Sequence, residues 1–184
     1  MSVILQEIID QFWITAEDAP WTPKTDAVPL NQIRTWMKSG DIEILGYAYS
    51  MLDDARFRIT PALSLDEYIE FLEHYYGRCF RENPQGEWAD SSYSAGWDLV
   101  HVFVRLWDDE EVPRSVLAGL KEWLAAVYRD GDERLQTCIK HATLEHLFER
   151  TPIKKYFSSW KDDPVLTEAF REASLWRRKT PLSG

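Results

Sequence analysis

From residue 65 onward the apolar side chains return every three or four positions, and nowhere does the chain alternate apolar and polar residues for long enough to specify a strand. That period fits amphipathic helices. Leu65, Tyr68, Ile69, Leu72, Tyr76, Cys79 and Phe80 form one stripe, with Asp66, Glu70, Glu73 and Arg81 on the other side. Ser64-Leu65-Asp66-Glu67 reads as a capping box, in which Ser64 and Glu67 each satisfy a backbone donor, and Asn83-Pro84-Gln85-Gly86 ends the helix. Between about Asp90 and Trp107, Tyr93, Trp97, Val100, Val104 and Trp107 share one face while Leu99, Val102, Phe103 and Leu106 fill much of the rest. Such a helix is expected to be the central, most buried one. Pro113 opens the next, striped by Val116, Leu117, Leu120, Leu124 and Val127 and ending near Gly131. Asp132 caps a helix carrying Leu135, Ile139, Ala142 and His146, and Asp163-Pro164 starts a last one through Leu166, Ala169, Phe170 and Ala173.

The first third is more broken. Ile4, Leu5, Ile8, Ile9 and Phe12 stripe a first helix, but residues 16–29 carry three prolines around Trp21 and read as a loop. Two short helices follow, and Pro61 biases residues 55–63 toward an extended segment. The expectation is an all-α chain of seven to nine helices, packed as a bundle or irregular array, with short links favouring antiparallel neighbours. Residues 1–52 hold too few apolar positions for a core of their own, so 1–184 is read as a single domain.

Charge narrows the range of partners. Net charge is −10, which repels phosphate backbones and anionic lipid, so neither nucleic acid nor a membrane surface is an expected ligand. The charge is uneven: residues 61–111 hold 12 acidic and 3 basic side chains, net −9, while residues 112–184 hold 10 and 13, net +3. Acidity peaks at Asp108-Asp109-Glu110-Glu111, where a cationic partner would be steered. Cys79 and Cys138 stand alone and suit a reducing compartment. No stretch approaches the roughly 18 apolar residues of a membrane span, and the opening MSVILQEIID lacks the basic region of a secretory signal. A cytoplasmic location is expected.

Catalytic signatures are sparse. The chain has no phosphate-binding glycine loop, no G-x-S-x-G elbow, no H-E-x-x-H and no EF-hand loop, so neither a metal nor a cofactor is expected. His141 and His146 are five apart, about 140° around a helix, a poor geometry for one metal. His146 falls on an apolar stripe and reads as a hydrogen-bonded core histidine; His141, near Glu145 and Glu149, reads as solvated. Asp98, His101 and Arg105 make a narrow polar stripe. Facing a cleft, Asp98 would orient His101 as a general base and Arg105 would hold an anion, with His146 nearby. Facing water, they are ordinary local pairs worth about 0.2 to 0.5 kcal/mol each, and this account is the stronger. Trp21 and Trp88 sit among turn-forming residues, where an indole is either a partner anchor or a lid over the core.

The stretch EWADSSYSAGWDLVHVFVRLW, with TLEHLFER further on, resembles bacterial proteins grouped only as a domain of unknown function, over roughly residues 64–176. That resemblance implies a bacterial protein and brings no activity. In size and charge the chain is also similar to immunity proteins that neutralise basic toxins. The expected function is therefore to bind a basic protein partner through Asp108, Asp109, Glu110 and Glu111, with Trp88 or Trp21 as apolar anchor. The alternative is a small-molecule enzyme using Asp98, His101 and Arg105. A homodimer joined through exposed aromatics is a third expectation.

Overall fold

Helices start where a side-chain oxygen can take a free backbone donor, and this sequence supplies several such oxygens. The computed structural model describes residues 3–16 and 19–179, with side chains for 5–13 and 23–175. The elements run α1 (Val3–Phe12), β1 (Trp13–Ala16), β2 (Ala19–Pro23), β3 (Ala27–Pro29), α2 (Leu30–Met37), α3 (Ile42–Asp53), β4 (Arg58–Thr60) and α4 (Leu65–Glu82). Then come α5 (Ser92–Asp108), α6 (Arg114–Asp130), α7 (Glu133–Cys138), α8 (Glu145–Leu147), α9 (Thr151–Tyr156) and α10 (Leu166–Lys179). A π-helical turn (Ile139–Leu144) makes α7 and α8 one continuous run, and a 3₁₀ turn (Phe157–Asp162) extends α9. With α7 and α8 counted as one, the described residues hold nine helices and only short strands, the all-α class expected.

The caps agree with the sequence in most places. Asp41 accepts from the Glu43 amide, Ser91 from Ser94, Asp132 from Leu135 and Asp163 from both Val165 and Leu166. At α4 only half of the capping box forms. The Glu67 amide donates to Ser64 Oγ, but the Glu67 carboxylate takes the Ser64 hydroxyl and the Arg34 guanidinium instead of a backbone donor. Asn83 ends α4 at φ 47°, in the left-handed region that asparagine tolerates. Part of the proline-rich loop is extended. β2 pairs antiparallel with β1, and β3 pairs parallel with β4, with Val28 opposite Ile59. Pro23 and Pro29 end their strands, where the missing N–H costs least.

The residues group into two units, 1–75 with 84–90 and 76–83 with 91–184. In the first, aromatic rings meet edge to face in series: Phe12 on Trp36 at 5.4 Å, Trp36 on Tyr47 at 5.4 Å and Tyr47 on Trp88 at 5.0 Å. Trp13 Nε1 donates to the Tyr47 hydroxyl at 3.1 Å, and burial pushes the Tyr47 phenol up to about 12. The 84–90 segment is fastened by one carboxylate. Glu43 accepts the amides of Glu87 and Trp88 at 2.9 Å and of Ala89 at 3.3 Å. Gly46 permits that approach, because a Cβ there would lie 2.3 Å from the Trp88 carbonyl oxygen.

In the second unit Phe103, Phe148, Phe157, Trp160 and Phe170 form a buried aromatic core. The π-helical turn lies directly against α5, since a Cβ on Gly96 would come within 2.6 Å of Ala142 Cβ, and Thr143 donates to the Gly96 carbonyl. Arg134 donates to the carbonyls of Phe80 and Arg81 at the end of α4, which orients a cation on that helix's negative pole. Cys79 and Cys138 are buried free thiols.

Candidate functional site

α5 presents a more exposed face than its sequence predicts. Ser91 caps it, and Ala95, Leu99, Val102, Phe103 and Leu106 turn inward, so the opposite side reaches solvent. On that side Trp97, His101, Arg105 and Asp108 follow one another at spacings of four, four and three, all exposed. Tyr93 and Trp97, expected on the buried stripe, are 51% and 38% exposed. This corrects the placing of Tyr93 and Trp97 on a buried stripe of the helix. Its apolar residues exceed what one packed face can take, and two aromatics are left outside.

A second segment runs beside this face. His146 stacks on Trp97 with ring centroids 3.9 Å apart and an interplanar angle of 29°, and its Nδ1 is 3.1 Å from Glu149. It is half-buried, partnered as expected but flat against an exposed indole rather than within the core. His101 meets the Trp97 edge at 6.2 Å. Four residues beyond His146, Arg150 donates to Asp108 at 2.8 Å, and that carboxylate holds the guanidinium above its ordinary pKa. Asp98 is half-buried, while His101 and Arg105 lie in solvent, so the polar stripe is an outward-facing strip.

The acidic run forms the turn between α5 and α6. Asp109 accepts the Glu111 amide, and Asp109, Glu110 and Glu111 make no ion pair among the described residues. Asp108 alone is neutralised by a neighbour. Arg114 lies over the Trp107 ring at 4.6 Å, so the turn also has an aromatic edge. Trp88 belongs to the first unit, where its indole lies on Tyr47 and acts as a lid. The side chain of Trp21 lies outside the described residues.

Two groups escaped the sequence. Glu145, to which the sequence assigns no role of its own, is 6% exposed and lies 2.7 Å from Nδ1 of the exposed His141, so a buried carboxylate orients an exposed imidazole. Helical periodicity gives no warning of this, because the π-helical turn just before Glu145 shifts the register by one residue. The exposed Tyr93 and Trp97 were more legible. Serines 91, 92 and 94 surround the first, and the second shares its stripe with His101, Arg105 and Asp108.

Cavities occur elsewhere. One, in the first unit, is lined by Arg34 of α2, Lys38 just after it, and Glu67, Glu70 and His74 of α4. Hydrogen bonds from Arg34 and then Ser64 pull the Glu67 carboxyl down to about 2. Another lies on the second unit along α9 and α10. Neither is lined by Asp98, His101, Arg105 or His146. Among the described residues no cluster of three or more His, Cys, Asp or Glu is placed to hold a metal ion, and no helix is long and apolar enough to cross a membrane. These features define an all-α protein with an exposed aromatic and acidic helix face. Comparison with protein families, with functionally characterised proteins and with solved structures finds no match.

Proposed function

We propose that this chain is a protein-binding module that holds a basic partner against the outer face of α5 and the acidic turn that follows it. The observation that carries the reading is that the exposed face of α5, with Tyr93, Trp97, His101 and Arg105, leads into the turn that bears the exposed carboxylates of Asp109, Glu110 and Glu111. An aromatic anchor beside unpaired charge is the usual composition of a protein interface: the ring supplies buried area, and the charge selects and steers the partner. The anchor is Trp97 with Tyr93 rather than Trp88, which is committed to Tyr47. Neutralisation of a basic toxin, as immunity proteins perform it, is one concrete form of this activity.

The test uses the full chain as bait against lysate of the source cells, beside Trp97→Ala and the triple reversal Asp109→Lys, Glu110→Lys, Glu111→Lys. A basic protein should be retained in near-stoichiometric amount at low salt, released by added salt, and lost from both variants. Retention indifferent to salt and to charge reversal overturns the proposal. A solution mass of two chains that falls to one in Trp97→Ala would assign the same face to self-association instead.

A further inference from the structure

We infer a separate binding site on the second unit for a small organic anion, a carboxylate or phosphate carried on a short apolar group. The site is an open surface groove of about 490 Å³ along α9 and α10, a volume large enough to seat a small ligand. Its lining includes Lys154, Lys161 and Arg171 and, among the described residues, no carboxylate. In a chain of net charge −10 this is a local reversal of sign. Cations gathered around one opening favour an anion placed between them.

Individual groups support the same ligand. Arg171 reaches its nearest carboxylate, Glu168, only at 3.8 Å with both side chains largely in solvent, so its planar fork is not engaged by a bidentate partner. Lys161 Nζ stands 5.0 Å over the Phe170 ring, which holds the ammonium at the cavity wall. Ser174 also lines the cavity; its Oγ has no hydrogen-bond partner among the described residues and would meet an oxyanion there after a change of rotamer. The remaining wall is Thr167, Phe170 and Leu175. Phe170 is 5% exposed and Leu175 42% exposed, which suits a ring or short alkyl group better than a bare ion. The site does not depend on the face of α5.

The experiment titrates the full chain with phenyl phosphate, phenylacetate, inorganic phosphate and benzyl alcohol, following the amide resonances of Thr167, Arg171 and Ser174. At least one of the two organic anions should saturate in the millimolar range or tighter. The stronger of the two then identifies the phosphate or the carboxylate class. Inorganic phosphate and benzyl alcohol should bind roughly tenfold more weakly or worse, since each offers half of the recognition. Lys161→Glu with Arg171→Glu should lower affinity at least about tenfold, and Ser174→Ala should lower it less. If the double variant does not fold, Arg171→Gln alone serves the comparison. No saturable shift with either organic anion, an equal response to benzyl alcohol, or affinity unchanged in the charge variants each overturns the inference.

Discussion

Two helical glycines should respond to the same substitution with opposite sign. Gly46 lies inside α3 and Gly119 inside α6, so replacing either by alanine removes the same backbone-entropy penalty, about 1 kcal/mol in favour of the variant. At Gly119 nothing lies within 4 Å of the new Cβ, and the full gain should appear. At Gly46 the Cβ would stand 2.3 Å from the Trp88 carbonyl oxygen and 2.7 Å from Ala89 Cα, roughly 1 Å inside ordinary contact. The obstacle is backbone, and that backbone is fastened by three amides donating to Glu43 and by the Trp88 ring on Tyr47. Forcing it outward costs about 1 to 3 kcal/mol of overpacking and weakens bonds to a charged acceptor worth about 1.5 to 3 kcal/mol. Net of the helix gain, Gly46→Ala should destabilise by roughly 2 to 4 kcal/mol, while Gly119→Ala stabilises by about 1. Urea unfolding followed by tryptophan fluorescence measures both. A Gly46→Ala variant as stable as the wild type would refute the account of how the 84–90 segment is held.

Arg34→Gln should move the Glu67 carboxyl from about 2 back toward the usual range, read by NMR titration of the side chain. Because the folded value is lowered, this ion pair supports folding above about pH 4.5 and its support fades as pH falls toward 2; an unmoved titration would mean Ser64 alone holds the carboxylate. Tyr47 has the opposite sign. Its raised phenol pKa gives stability that is present below pH 10 and lost as pH rises toward about 12, so Tyr47→Phe should flatten the alkaline fall in melting temperature. Burial also pushes up the Cys138 thiol, which donates to the Ser92 carbonyl. Both cysteines should therefore resist thiol reagents near pH 8 until urea unfolds the chain, and rapid labelling of the native protein would contradict their enclosure.

The sequence announces what repeats and conceals what depends on a second chain segment. The stripes of α4 and α6, the Asp132 and Asp163 caps and the stop at Asn83 follow from spacing and local hydrogen bonding, and each is where the residues place it. The α4 capping box is the instructive partial case. Ser64 caps, but Glu67 is drawn to Arg34, 33 positions away, and no local motif carries that competition. The same holds for Glu43, whose three loop amides lie more than 40 residues on. On α5 the apolar count was right and the inference from it too simple. Periodicity says which residues share a face, and the neighbouring elements decide which face is covered. The groove of Lys154, Lys161 and Arg171 has no spacing signature, because its cations come from three elements.

On the proposed reading, the exposed area on α5 sets what a partner would have to supply. Trp97 and Tyr93 leave 38% and 51% of their surfaces uncovered, which for rings of this size is about 200 Å² together, worth about 5 kcal/mol if fully covered at ~25 cal/mol per Å². Matching apolar area on the partner about doubles that figure, and the entropic cost of association, about 4 to 15 kcal/mol, absorbs much of it. Aromatic contact alone therefore holds a partner weakly. The unpaired carboxylates at 109–111 supply the remainder, through attraction that salt weakens. The two halves should fail separately: Trp97→Ala should weaken binding at every salt concentration, whereas the triple charge reversal should invert the salt dependence, because lysines at 109–111 repel a basic partner and salt screens that repulsion.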